Sequence, residues 1–110
     1  MSDVVVVNLT PHDINIFVEG QIITFEPSGM IARASSSIEE IGRIGSIPVF
    51  KTVLGEITGL PEPKENTIYL VSRAVAERVP DRAGIDVFIP TESIRDGKGN
   101  IIGCKGFGIV

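Results

Sequence analysis

The chain has 110 residues, a net charge of −4 and 43% apolar residues, enough for one domain with one modest core. That charge excludes non-specific nucleic-acid binding, which needs dense Lys and Arg against phosphates, but leaves room for a local basic pocket that takes one small anion. A single Cys104 excludes an internal disulfide and suits a reducing cytoplasm, and no apolar run approaches the roughly 20 residues of a membrane span.

Five Phe, one Tyr and no Trp leave Val, Ile and Leu to fill the core, while 12 Gly and 7 Pro imply many turns. The start, Met1-Ser2-Asp3 ahead of a short apolar run, has no basic n-region and does not read as a signal peptide. Residues 4–9 are expected to form a central strand. Thr10-Pro11-His12-Asp13 reads as a single capped helical turn, with Thr10 as cap and Pro11 at the first helical position. Alternation from Ile14 starts a second strand, Glu19-Gly20 turns it, and residues 21–25 pair back. Another turn at Pro27-Ser28-Gly29 leads to a strand over 30–35.

Residues 35–46 form the least determined stretch. The preferred reading is a hairpin of 38–43 with 47–52; the competing one is a short helix at 38–43, capped by Ser37 with Glu40 three residues on. Residues 53–58 are read as a strand. The Pro-bearing segment 60–66 cannot join a ladder and must connect over the surface. The chain is organised around 66–90: an apolar β-branched strand at 67–71, one short helix over about 72–79 capped by Ser72 and stopped by Pro80, and a strand at 85–89. Asp96 to Asn100 makes a tight turn before a closing strand whose glycines mark bulges or close backbone approach. The expected fold is a single α+β domain, mostly β: a strongly bent antiparallel sheet or small barrel with that helix. Its open strand edges favour a homo-oligomer.

No catalytic set stands out. His12 is the only histidine, and Cys104 lies far from it in sequence. A hydrolase using His12 with Thr10 or an activated water is the least favoured reading. One His, one Cys and carboxylates without ligand spacing give no metal site, no phosphate-loop motif is present, and no cofactor is expected. The arginines are more informative. Arg33, Arg73, Arg82 and Arg95 each stand beside a turn or an element end, and guanidinium groups clamp phosphates and carboxylates. Against this, Arg82 and Arg95 each neighbour an aspartate and could simply tie turns. Tyr69 offers a stacking face, and Ser72, Asn8 and His12 offer hydrogen bonds. These eight residues are the candidate ligand contacts.

The segments NLTPHDINI, EPSG, ITGLPEP, TIYLVSRAVAERVPDR and IRDGKGNIIGC, in that order over most of the chain, resemble a family of small uncharacterised bacterial and phage proteins. The family's usual R-D-x-x-G-x-I-I-G ending is matched as Arg95 and Asp96 with Gly99, Ile101, Ile102 and Gly103. The resemblance implies membership and no activity. The leading expectation is a non-enzymatic, homo-oligomeric binder of a small anionic, nucleotide-like molecule in the cytoplasm, the host's if the chain is phage-encoded. The analogy in size and context is to phage proteins that sequester nucleotide signals of host immunity. The alternative is a structural or protein-interaction accessory module.

Overall fold

The computed structural model describes residues 4–110, so the leaderless start read at Met1-Ser2-Asp3 lies outside it. Eight strands and one helix follow in the order β1 (Val5–Asn8), β2 (Ile14–Val18), β3 (Gln21–Phe25), β4 (Arg33–Ile44), β5 (Ile47–Thr58), β6 (Thr67–Leu70), α1 (Arg73–Ala76), β7 (Val87–Arg95) and β8 (Ile101–Gly108). Six strands form a curled sheet, a half-barrel, in the order β1-β6-β7-β8-β2-β3; β4 and β5 pair only with each other.

The fold is mostly β with one short helix, as the residue pattern predicts. The sheet is mixed, however, not antiparallel. β1 pairs parallel with β6, β6 parallel with β7, and β2 parallel with β8. For β6 and β7 the cause is the α1 segment, a crossover that returns the chain to the same end of the sheet, as parallel neighbours require; β1 with β6 and β2 with β8 pair after longer excursions of the chain.

β6 explains the core. Tyr69 and Val71 face one side with Leu9, Val75, Ala76 and Val87, while Leu70 faces the other with Ile14, Ile16 and Cys104. Both faces of this strand are covered, which is why its sequence is continuously apolar. Phe25, Phe88 and Phe107 pack as tilted rings on the concave side, at centroid separations of 5.9 and 6.3 Å.

Ser72 caps α1 as its position predicts: its Oγ accepts from the Val75 N–H at 3.4 Å. The helix is shorter than 72–79, because Arg78 and Val79 donate back to Val75 and Ala76, and these three-residue closures tighten and end it. The helical turn expected at Thr10–Asp13 is a bend instead, organised by the Asn8 side chain and not by a helix cap. The strand read at 30–35 begins only at Arg33. Ile85 lies outside β7, in a turn closed by N–H groups of residues 85–87 donating to the Arg82 carbonyl.

The hairpin reading of 35–46 holds and is longer than expected. β4 and β5 run 12 residues each around Gly45-Ser46, with Gly45 at φ +62 as a two-residue type II′ turn requires. At its root, Arg78 Nη1 donates to the Ser35 carbonyl at 2.7 Å. Gly59, at φ +80, lies so close to the Ile31 carbonyl that no side chain fits there. Past the root, every residue from 35 to 56 is exposed except half-buried Val49. Two of the three glycines of β8 act as read: a Cβ at Gly103 would strike the Phe17 ring, and one at Gly108 would strike Thr91, whereas one at Gly106 would meet open space.

The β7–β8 turn supplies a pH-dependent element. Asp96 Oδ1 accepts from the Asn100 N–H at 3.0 Å and the Lys98 N–H at 2.8 Å. These bonds, Asn100's first, hold its carboxyl below the ordinary aspartate range. A depressed folded-state value means the contribution is present above the unfolded value and lost as pH falls through the folded one. Carboxyl-detected NMR titration is expected to place the Asp96 midpoint below that of the other exposed aspartates, with loss of the turn's amide protection at the same pH. An ordinary midpoint would remove the turn from any account of acid sensitivity.

Candidate functional site

The structure divides the eight candidate residues into three groups. One lies at the start of β6 and β7. Half-buried Arg82 is held there in an ion pair with buried Asp86: Nη2 reaches Asp86 Oδ2 at 2.6 Å and Nε reaches Oδ1 at 3.1 Å. Its Nη2 also donates to the Pro61 carbonyl at 3.0 Å, and the guanidinium stacks 5.9 Å from the Tyr69 ring centroid. The Asp86 hydrogen bond raises the Arg82 pKa above its ordinary value, against the opposing effect of burial. Tyr69 is buried and donates its hydroxyl to the Glu62 carbonyl at 3.3 Å. Tyr69 therefore offers no free face for a base, and Arg82 ties the 60–66 segment to the sheet.

Arg95 stands alone at the β7–β8 turn, where Nη1 donates to the Gly99 carbonyl at 2.7 Å. The structure thus does not assemble a clamp of Arg73, Arg82 and Arg95 within one chain. For Arg82 and Arg95, the turn-tying alternative matches the contacts.

The remaining candidates lie at the opposite end of β6. Asn8, at the end of β1, is buried with every polar atom of its side chain satisfied. Nδ2 donates to the carbonyls of His12 (2.7 Å) and Phe25 (2.9 Å), and Oδ1 accepts from the Thr10 N–H (2.9 Å) and hydroxyl (2.7 Å). Asn8 is thus a scaffold for the Thr10–His12 bend. That bend and the Ser72 cap form the walls of an open concavity of about 550 Å³. It lies just beyond the carboxyl ends of the parallel strands β1 and β6, the position where open sheets with parallel strands place ligands. Thr10, His12, Ser72 and Arg73 supply its polar groups; Pro11, Ile14, Val71, Ile89 and Pro90 supply apolar walls.

A second hollow of about 250 Å³ adjoins it, sharing Pro11 and Ser72 and adding Arg33 from the root of β4. Arg73 is mostly exposed and pairs with Glu77 at 3.0 Å, a surface contact that a ligand can displace at little cost. The convergence of His12, Ser72 and Arg73 on one rim follows from pairing β1 beside β6, which residue spacing does not reveal; the root of β4 brings Arg33 to the adjoining hollow. Pro11 and Pro90 as walls were not foreseen, and nothing in the sequence marks them.

Chemically, the rim can hold an anion and shelter an apolar ring. Among the described residues no group of three His, Cys, Asp or Glu is placed to hold a metal ion. Cys104 is buried in the concave core and does not face His12's hollow. No helix of the described residues is long and apolar enough to cross a membrane.

Neither family models, nor curated proteins, nor solved structures give a match to this chain. The functional reading therefore rests on geometry.

Proposed function

We propose that this chain is a non-enzymatic binding protein for a small anionic, nucleotide-like molecule, taken up in the hollow between the Thr10–His12 bend and the Ser72 cap. The observation that carries the reading is the gathering of His12, Ser72 and Arg73 around a hollow of ligand size with apolar walls, with Arg33 lining the smaller hollow that adjoins it at Pro11 and Ser72. Arg73 and Arg33 supply charge for phosphate, Ser72 and Thr10 supply hydrogen bonds, and Pro11, Ile14 and Pro90 receive the ring. By analogy with small phage proteins of similar size, the role of such binding is sequestration of a nucleotide signal.

The test is direct. Purified protein is heat-denatured and removed, and the supernatant is analysed by mass spectrometry. A released nucleotide-like anion is expected, and it then serves as the titrant. Arg73→Ala is expected to weaken its binding by about 1.5–3 kcal/mol, roughly tenfold to a hundredfold. Arg95→Ala, remote from the hollow, is expected to leave affinity unchanged. Equal affinity in Arg73→Ala, Arg33→Ala and Ser72→Ala would refute the placement.

A further inference from the structure

The β4–β5 arm is the feature that the ligand reading does not use. Its cross-strand pairs put Ser36 with Leu54, Ile38 with Thr52 and Glu40 with Phe50 on one face. Ile38, Phe50 and Leu54 on that face are 74%, 58% and 64% exposed. The arm's other exposed apolar residues include Ile41, Ile44 and Ile47 toward its tip and Val53, which pairs with Ser37 on the opposite face. A two-stranded ribbon is at best marginally stable alone in water, and both edges of this one are open.

The size of the exposed surface indicates what covers it. The chain exposes 7711 Å², whereas a folded monomer of 11.8 kDa exposes about 5,900 Å². The excess of roughly 1,800 Å² falls within the range that one subunit of an obligate homodimer buries, about 1,000–2,500 Å². The radius of gyration, 17.2 Å, exceeds the roughly 13 Å of a compact chain of this length, and the longest extent is 60 Å. The arm cannot fold back to cover itself, because Arg78 and the Gly59 approach fix its root.

The same chain carries a matching surface. The concave side of the half-barrel opens at β3, the free edge of the sheet, into an apolar groove of about 250 Å³ lined by Ile16, Val18, Ile23, Phe25 and Phe107. Ile22 and Ile23 on that edge are exposed. Residues 36–54 of the arm carry two acids (Glu39, Glu40) and two bases (Arg43, Lys51), a net charge of zero. Such an arm approaches a chain of charge −4 without repulsion and presents no charge for a charged partner to read.

We propose that two copies of this chain exchange arms. The Ile38–Phe50–Leu54 face of each arm seats in the Ile16–Ile23–Phe107 groove of the other copy, and an arm strand extends the open β3 edge. Reciprocal seating closes the assembly around a two-fold axis, whereas one-way seating would propagate into a fibre.

Light scattering at micromolar concentration is expected to give a dimer for the native chain and a monomer for Phe50→Glu, with far-UV circular dichroism unchanged because Phe50 is exposed within one chain. A native monomer would overturn the proposal. The seat is tested by mixing Phe50→Cys chains with Ile23→Cys chains under oxidation. A disulfide dimer is expected in the mixture and in neither variant alone; Cys104 is buried in both. A dimer from Phe50→Cys alone would mean arm-to-arm packing and overturn the seat. A dimer of native chains without any mixed disulfide would overturn it as well. None of these outcomes depends on the ligand hollow, so the two readings stand or fall separately.

Discussion

Asn8→Ala is expected to lower the unfolding free energy by about 2–4 kcal/mol, because it strands groups that water reaches only in part. Among the described residues the Asn8 amide is the sole side-chain donor to the Phe25 carbonyl, and its oxygen takes both the Thr10 N–H and hydroxyl. Native domains hold only about 5–15 kcal/mol, so the loss is a large fraction of the total. Asn8→Asp keeps the acceptor but turns a carboxylate toward the carbonyls of His12 and Phe25, so it is expected to be no milder. Urea denaturation with an unchanged slope checks both. A change under 1 kcal/mol would show that the Thr10–His12 bend holds itself, and the wall of the proposed hollow would lose its stated cause.

Asp86→Ala is expected to cost about 3–5 kcal/mol, the range for removing one partner of a buried ion pair. The side chains of Arg82 and Asp86 are only 17% and 8% exposed, so the guanidinium left behind keeps the Pro61 carbonyl and the Tyr69 ring but no counter-charge. Arg82→Met in the same background is expected to recover part of the loss, because the uncompensated charge goes with it; a double-mutant cycle measures the coupling. The raised Arg82 value adds stability present below its unfolded pKa and lost only as pH rises through the higher folded one, so the pair should be insensitive to pH across the neutral range. Additive losses in the cycle would show that the two side chains do not act as a pair.

The fold was largely legible because local signals agreed with global ones. The apolar run of β6 and the Ser72 cap each state their role in residue chemistry, while the helix ends ahead of Pro80. What the sequence hid is pairing between distant segments. β8 follows β7 as a hairpin, but its other neighbour is β2, nearly 90 residues earlier, joined through Ile16 and Cys104. The parallel sense of those contacts leaves no periodic trace. The candidate site was half legible for the same reason. Of the arginines at element ends, Arg82 finds Asp86 four residues on and Arg95 finds Gly99 four residues on. Arg73 and Arg33 have only exposed surroundings, and β1 beside β6 and the arm root bring them to adjoining hollows. The arm itself reads as an ordinary hairpin, since exposure on both faces depends on what the rest of the chain fails to cover.

The order of strands has a consequence for synthesis on the ribosome. β8 lies between β7 and β2, so the β2–β3 hairpin has no neighbour in the sheet until Gly108 has been made. At about 5–20 residues per second, the 83 residues between Phe25 and Gly108 take roughly 4–17 s. For that interval the β2–β3 hairpin waits without its strand partner, held to β1 through Asn8, with Ile16 and Phe25 unshielded while β6 and β7 are still being made. Final closure of this sheet belongs to β8, so a chain cut before Ile101 leaves β2 and β7 without the strand that joins them.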